Sequence, residues 1–421
     1  MSNLSIFSEI ARLRAVAVHS PGREVDCMTP SLMHQLLFDD ILFGKEAREE
    51  HGEFAKILAK VADEVVDIQD LLAQTLEMPL ARAHFLDRLA ALHHLTRPER
   101  ETLEQLSPRI LAQYAVTGWY EEIDHGADYR FRFPPVPNLL FMRDPAAVIG
   151  EGVSIHNMAT SARRPEPFVL DVILRFHPRF RVDREENIWF DAIPSYLAGN
   201  PDAYHTIEGG DILVLSEKIL AIGVSIRTSQ SAVTRLAETI RGRHSFKTVF
   251  AVLMPQERSV MHLDTIFTQI DPENCLIFPP MLKPGRSGVL PTIKMDLSGK
   301  SLTVALKDNF LDALAEEGHK LNPVFCGGRN RLDQEREQWT DGANAFCLAP
   351  GVILGYSRNT ATADELDRVG YQVVNAERVL AEDWDLLDGN RYFVLIKGNE
   401  LSRARGGPRC MTMPLKRDPL P

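Results

Sequence analysis

The 421-residue sequence is 44% hydrophobic and carries a formal net charge of -11, with its Lys and Arg dispersed along the chain. That excludes a basic face for nucleic acid and a polybasic membrane anchor, and no apolar run approaches the roughly 18 residues that a spanning helix needs. Five scattered cysteines without a Cys-x-x-Cys pair, and a first stretch broken by Glu9, Arg12 and Arg14, argue for a reducing cytoplasm, with neither disulfides nor a thiolate zinc site.

Residues 11–20 alternate as a strand should, and Pro21-Gly22 closes them as a turn. After an apolar run ending in two acids, Leu36 to Asp40, the periodicity predicts a helix over 45–62. Shorter helices follow over 71–76, 81–92 and 98–114, the last with Pro98 in its first turn. About sixty residues without an evident strand, between strand-rich segments, predict a helical insertion at 71–130 in a domain formed by 1–70 and 131–421, with ordinary connecting helices of an α/β domain as the other reading.

From Phe131 onward a unit recurs. Four times an acidic or amide residue precedes an apolar strand, a short turn follows, and a second strand returns: around Asp144, Glu208 with Asp211, His262 with Asp264, and Asn344. The turns come at intervals of roughly 55 to 80 residues, as expected of an internal repeat. An amphipathic helix over 229–241 follows the second hairpin, and another over 361–369, ended by Gly370, follows the fourth. Further strands at 248–253 and 371–374 complete units of strand, strand, helix and strand. A ring of such units would bring the residues that open the hairpins to a common axis.

Those residues are several carboxylates and one histidine, and near the end of the sequence stands Cys410 in Arg403-Ala404-Arg405-Gly406-Gly407-Pro408-Arg409-Cys410. Flanking cations lower a thiol pKa and favour the nucleophilic thiolate, which makes Cys410 the candidate nucleophile. A guanidinium carries five N–H donors in a fixed fork, so several carboxylates can satisfy it and hold its carbon still. Acyl transfer would instead require oxyanion donors, which acids oppose. His262 and Asp264, two apart in an extended segment, would share a face, with His262 suited to acid–base work near neutral pH. No other histidine has ligand-like spacing to them, which argues against a metal site.

Asn138 to Asp144 (NLLFMRD), Glu208 to Asp211 (EGGD), Met261 to Thr265 (MHLDT), Glu335 to Trp339 (EREQW) with Asp341 to Asn344 (DGAN), and Arg405 to Thr412 (RGGPRCMT) together resemble the arginine deiminases. The motifs stand in that family's order, and the likeness runs from Leu36 to nearly the last residue. It implies an α/β fold, a five-bladed pseudo-symmetric propeller of strand-strand-helix-strand units with a helical insertion. It also implies hydrolysis of free L-arginine to L-citrulline and ammonia, without cofactor or metal.

By the same resemblance Cys410 is the nucleophile of a covalent amidino-thioether, His262 the general acid and base, and Asp144 and Asp264 the guanidinium clamp. Glu208 contacts the guanidinium and His262. Asn138, Arg163 and Arg227 fall where the family holds the α-amino and α-carboxylate groups, Phe141 is a further substrate contact, and Arg405 is a mobile arginine beside the site. Ala404 departs from the glycine usual between the two arginines of the terminal loop, and Met142 from a commoner polar residue. Hydrolases of agmatine or methylated arginine, amidinotransferases and a non-catalytic homologue are the competing readings; arginines that bind a carboxylate favour free arginine. The partner expected is this small molecule, with a homo-oligomer allowed and neither nucleic acid nor membrane.

Overall fold

The strand Leu13–Val18 pairs antiparallel with Met413–Arg417, from the far end of the sequence, and parallel with Glu64–Asp67. The structure, a computed structural model, describes residues 3–123, 125, 128–199, 205–243, 245–283 and 289–420. The helix Gly44–Val61 joins the two parallel strands of this sheet. Its Ala47, Phe54, Ile57, Leu58 and Val61 recur at helical spacing and are all buried.

Four further sheets repeat this plan. Antiparallel pairs are formed by Ala146–Ile149 with Gly152–Ile155, Ile212–Ser216 with Ile219–Val224, Phe267–Gln269 with Asn274–Ile277, and Phe346–Ala349 with Val352–Tyr356. In each case the returning strand also pairs in parallel with a later one: Ile188–Asp191, Thr248–Leu253, Asn322–Phe325 or Tyr392–Ile396. The crossovers carry the helices Glu166–Phe176, Gln230–Ile240, Phe310–Glu316 and Thr360–Arg368. Strands of this kind, buried on both faces, read as nearly continuous apolar runs. The result is a mixed α/β fold, and no helix among the described residues is long and apolar enough to cross a membrane.

The helix expected over 229–241 spans Gln230–Ile240, with Ser229 accepting the Ala232 N–H as its cap. Gly370, at φ +91, follows the helix Thr360–Arg368 as the sequence suggests. Other expectations are corrected. The single helix expected over 98–114 is two, Arg97–Glu104 and Pro108–Thr117, because Ser107 and Pro108 start a new one. The stretch read as lacking strands contains Trp119–Ile123, paired with Asp128–Phe133. This hairpin is largely exposed, so no apolar alternation marks it. Glu64–Asp67 and the added hairpin Thr292–Asp296 with Thr303–Lys307 also escaped the reading. In the last sheet Gln372–Asn375 lies on the outer edge, and Tyr392–Ile396 takes the inner parallel position.

Asp171, fully buried on Glu166–Phe176, lies 2.8 Å from His84, 3.3 Å from Arg88 and 2.7 Å from Arg175. It thereby ties the helix Pro79–His93 to the second sheet. Removing one partner of a buried ion cluster leaves uncompensated charge, so Asp171→Ala should cost about 3 kcal/mol in urea unfolding; an unchanged midpoint would show that the cluster contributes nothing.

Candidate active site

Tight turns bring the polar residues together, each just ahead of the first strand of a hairpin. Asp144 follows the helical turn Pro137–Leu140, Glu208 caps the turn Gly209–Asp211, and His262 caps the turn Leu263–Thr265. Asn344 and Cys410 precede Phe346–Ala349 and Met413–Arg417 in the same way. The expected extended geometry from His262 to Asp264 is therefore a turn, not a strand. The Gly209 N–H donates to the Asp144 carbonyl at 3.1 Å, and the Gly210 N–H to Asp144 Oδ1 at 2.9 Å. A Cβ at Gly209 would strike the Arg143 carbonyl, and one at Gly210 would stand 2.6 Å from His262 Nδ1. The glycine pair is what lets two turns and an imidazole meet.

His262 lies between two carboxylates, with Nε2 2.8 Å from Glu208 Oε2 and Nδ1 3.8 Å from Asp144 Oδ1. Burial lowers its pKa, but Asp144, the bond to Glu208 and the charge of Asp211 outweigh burial and raise it to about 9. The ring is therefore an imidazolium at neutral pH. Burial works against ionised Asp144 too, but His262, Arg163 and the Gly210 N–H bring it down to about 2. For Glu208, burial is outweighed by Arg227, His262 and Arg163, which hold it below its usual range. Its Oε1 accepts the Ala159 N–H at 3.0 Å.

Cys410 is fixed by its backbone. Its N–H donates to Asn344 Oδ1 at 3.1 Å, its carbonyl accepts the Arg143 N–H at 3.0 Å, and Sγ stands 3.9 Å from Asp264 Oδ2. Burial, then Asp264, Asp144 and Asp341, push the thiol well above its ordinary pKa. The activation expected from the three nearby arginines is thus corrected. Arg403 pairs with Asp40 and Glu400, Arg405 stacks 3.4 Å over the Trp339 ring, and Arg409 pairs with Asp264 and Glu9. Burial and these carboxylates keep Cys410 a thiol at rest.

These groups border a cleft of about 440 Å³, solvent at its mouth included. Asp144, His262, Cys410, Asn138, Phe141, Arg163, Arg227 and Arg405 all line it, while Glu208 and Asp264 stand behind. Arg163 is heavily engaged, donating to Asp144 Oδ2 at 2.5 Å, to Glu166 at 2.8 Å and to the Asn138 and Phe141 carbonyls. Asn138 donates its amide to the Leu36 carbonyl at 2.7 Å. The Arg227 guanidinium makes long contacts among the described residues, 3.4 Å to Thr160 Oγ1, 3.7 Å to Glu208 and 3.9 Å to Met261 Sδ. Arg405 itself takes the left-handed backbone, at φ +68, so Ala404 before it needs no positive φ.

Sequence reasoning missed Leu37, Arg258, Met261 and Thr265 in the lining, and the role of Asn344 beneath the nucleophile. Asn344 lies in the quoted DGAN stretch, yet nothing in that stretch announces an amide that receives a distant N–H. Leu37 sits at φ +66, a conformation no pattern of side chains betrays.

Ligand atoms of Asp144, Glu208 and His262 lie within 4.8 Å of one another, close enough for a divalent ion. The donor set fits one poorly. His262 Nε2 is engaged by Glu208, the ring is protonated, and the Arg163 and Arg227 guanidiniums already neutralise the two acids.

A buried thiol, an imidazolium and carboxylates gather at one cleft, a set of groups suited to a cationic ligand. Solved structures share the fold. The N-terminal domain of ArgZ bound to product, an arginine dihydrolase from the ornithine-ammonia cycle in cyanobacteria, matches with a TM-score of 0.51 at 13% identity, over 97% of this chain and 99% of that one. AgrE in its ternary complex with ornithine and NAD+ gives 0.51 at 14%, over 97% of this chain and 40% of its own. Residues 34–417 match the arginine deiminase family, and the chain belongs to it. The arginine deiminase of Latilactobacillus sakei is 33% identical over 439 residues, 100% of this chain and 99% of its own. That of Staphylococcus aureus is 35% identical over 436 residues, 99% of this chain and 98% of its own.

The raised pKa of His262 has a consequence for stability. The imidazolium's contribution is fully present below the unfolded-state pKa of roughly 6.5 and is lost as pH rises through about 9. The melting temperature of the native chain relative to His262→Asn should therefore fall between about pH 6 and about pH 10. A difference that grew over that range would contradict the assignment of an imidazolium.

Proposed function

We propose that the protein hydrolyses free L-arginine to L-citrulline and ammonia through a covalent intermediate on Cys410. The observation that carries this reading is the carboxylate oxygen of Asp264, 3.9 Å from the Cys410 sulfur. An acid there opposes the oxyanion of acyl transfer and attracts a guanidinium.

In this reading Asp144 and Asp264 clamp the substrate guanidinium, and its arrival supplies the positive charge that the protonated thiol lacks. The thiol gives up its proton to solvent, and the thiolate attacks the guanidinium carbon. As the Sγ–C bond forms and a C–N bond breaks, His262 donates its proton to the departing ammonia. The imidazole, now neutral, takes a proton from water as the water oxygen bonds to the same carbon. The Sγ–C bond then breaks, the new hydroxyl becomes the ureido carbonyl and passes its proton to the sulfur, and citrulline leaves with Cys410 restored as a thiol. Glu208 holds the ring in orientation throughout.

Among the residues proposed for the polar end, Arg227 has the most hydrogen-bonding capacity to offer, so we assign it the α-carboxylate. Arg163 orients Asp144 and supports the same end, Asn138 and Phe141 shape the wall, and Arg405 closes over the substrate. The five sheets of one plan, with distant segments sharing one of them, support a five-bladed propeller. The run of helices between Glu64–Asp67 and the sheets beyond residue 131 supports treating 71–130 as an inserted domain. A reducing cytoplasm is the compartment that the scattered cysteines of the sequence suit.

The native chain with L-arginine should release citrulline and ammonia in equal amounts, and Cys410→Ala should release neither; silence of the native chain would sink the proposal. Arg227→Leu should raise KM for arginine by about a hundredfold. Should agmatine, which has no carboxylate, replace arginine as the better substrate of the native chain, the assignment of Arg227 would fall while the chemistry at Cys410 stood.

A further inference from the structure

Arg409, the residue before the nucleophile, is fully buried and draws its partners from three distant segments. Its Nη1 donates to Asp264 Oδ2 at 2.8 Å and its Nη2 to the Ile212 carbonyl at 2.8 Å. Its Nε donates to Glu9 Oε2 at 3.2 Å, and Nη2 stands 3.1 Å from the same oxygen. Glu9 is itself buried, and its other oxygen accepts the Val214 N–H at 3.1 Å. No step of the chemistry described above uses Glu9.

Its placement nevertheless decides what Arg409 can give to Asp264. Glu9 and the Ile212 carbonyl occupy the Nε and Nη2 side of the guanidinium and leave Nη1 alone for Asp264. Asp264 therefore shares one oxygen, and its Oδ1 is buried without a hydrogen-bond partner among the described residues. We propose that Glu9 is a positioning residue for the cationic substrate: it neutralises Arg409, so that Asp264 keeps a net negative charge beside Cys410. With Glu9 ionised, the trio of Glu9, Arg409 and Asp264 carries one negative charge; without it, none. Arg143 and Arg417 add to the positive field on Glu9, which, against burial, keeps it ionised. The inference rests on the deiminase reading for its substrate, but not for its electrostatics.

Glu9→Gln retains an oxygen for the Val214 N–H and removes the charge together with the acceptor that Arg409 uses. It should raise KM for L-arginine about tenfold and leave kcat within about threefold, as expected for lost ground-state attraction to a cation. Alkylation of Cys410 separates charge from packing. The cationic reagent 2-chloroacetamidine should react about tenfold more slowly with the variant, whereas neutral iodoacetamide should not slow. Glu9→Asp, which withdraws the carboxylate by one methylene, should give an intermediate ratio of the two rates, and it serves as the test should the glutamine variant not fold. A native ratio in a folded variant, or equal slowing with both reagents, would overturn the proposal. Absence of citrulline from the native chain would instead remove the deiminase reading, and the reagent ratio would still report on Glu9.

Discussion

The imidazolium of His262, held between Asp144 and Glu208, is the interaction on which the rest of the site depends. Two carboxylates buried side by side repel each other, and the proton on the ring makes their proximity tolerable. The Arg163 and Arg227 guanidiniums complete the compensation from the other side. Every group in this cluster is hydrogen-bonded or ion-paired from a different turn, so the turns must meet within hydrogen-bond reach. The glycines at 209 and 210 follow from that demand, and bulkier residues there would separate the acids from the ring.

The scaffold answers the same need at larger scale. Each sheet ends at the cleft with a turn, and each turn hands one or two polar side chains to the centre. Support comes from well away in the chain. Glu50, buried on the helix Gly44–Val61, accepts the N–H groups of Asn399, Glu400 and Leu401 and so fixes the start of the loop that leads to Arg405 and Cys410. Asn344 fixes the backbone at Cys410 itself. Loops that carry chemistry are kept in place here by backbone donors received on buried side chains, a use of polar burial that satisfies both partners.

Much of this was legible in the sequence. The hairpins from residue 146 onward showed as apolar runs punctuated by Pro, Gly and Asp, because both of their faces are covered. The residues that open them stood out as charges at the edge of apolar strands. What could not be read was the conformation at those edges, where tight helical turns replace the extended geometry expected at His262 and Asp264. Nor could the ionisation of Cys410. The arginines beside it in sequence are each paired with an acid or an aromatic ring, Arg409 with Asp264 itself, and the acids that govern the thiol come from positions 144, 264 and 341. Adjacency along the chain gave the wrong sign because the loop turns its side chains apart. Strands exposed on both faces, such as Trp119–Ile123, left no apolar imprint to read.

The pairing of Leu13–Val18 with Met413–Arg417 sets an order of events in the making of the molecule. Met413–Arg417 lies later in the chain than every other described strand, and it carries Cys410 into place by docking against the earliest described one. On the ribosome, the carboxylates and His262 therefore emerge before Cys410, and a pairing between segments this far apart in sequence can close only late in synthesis. The charged residues of the cleft thus meet their thiol through a contact that spans nearly the whole chain.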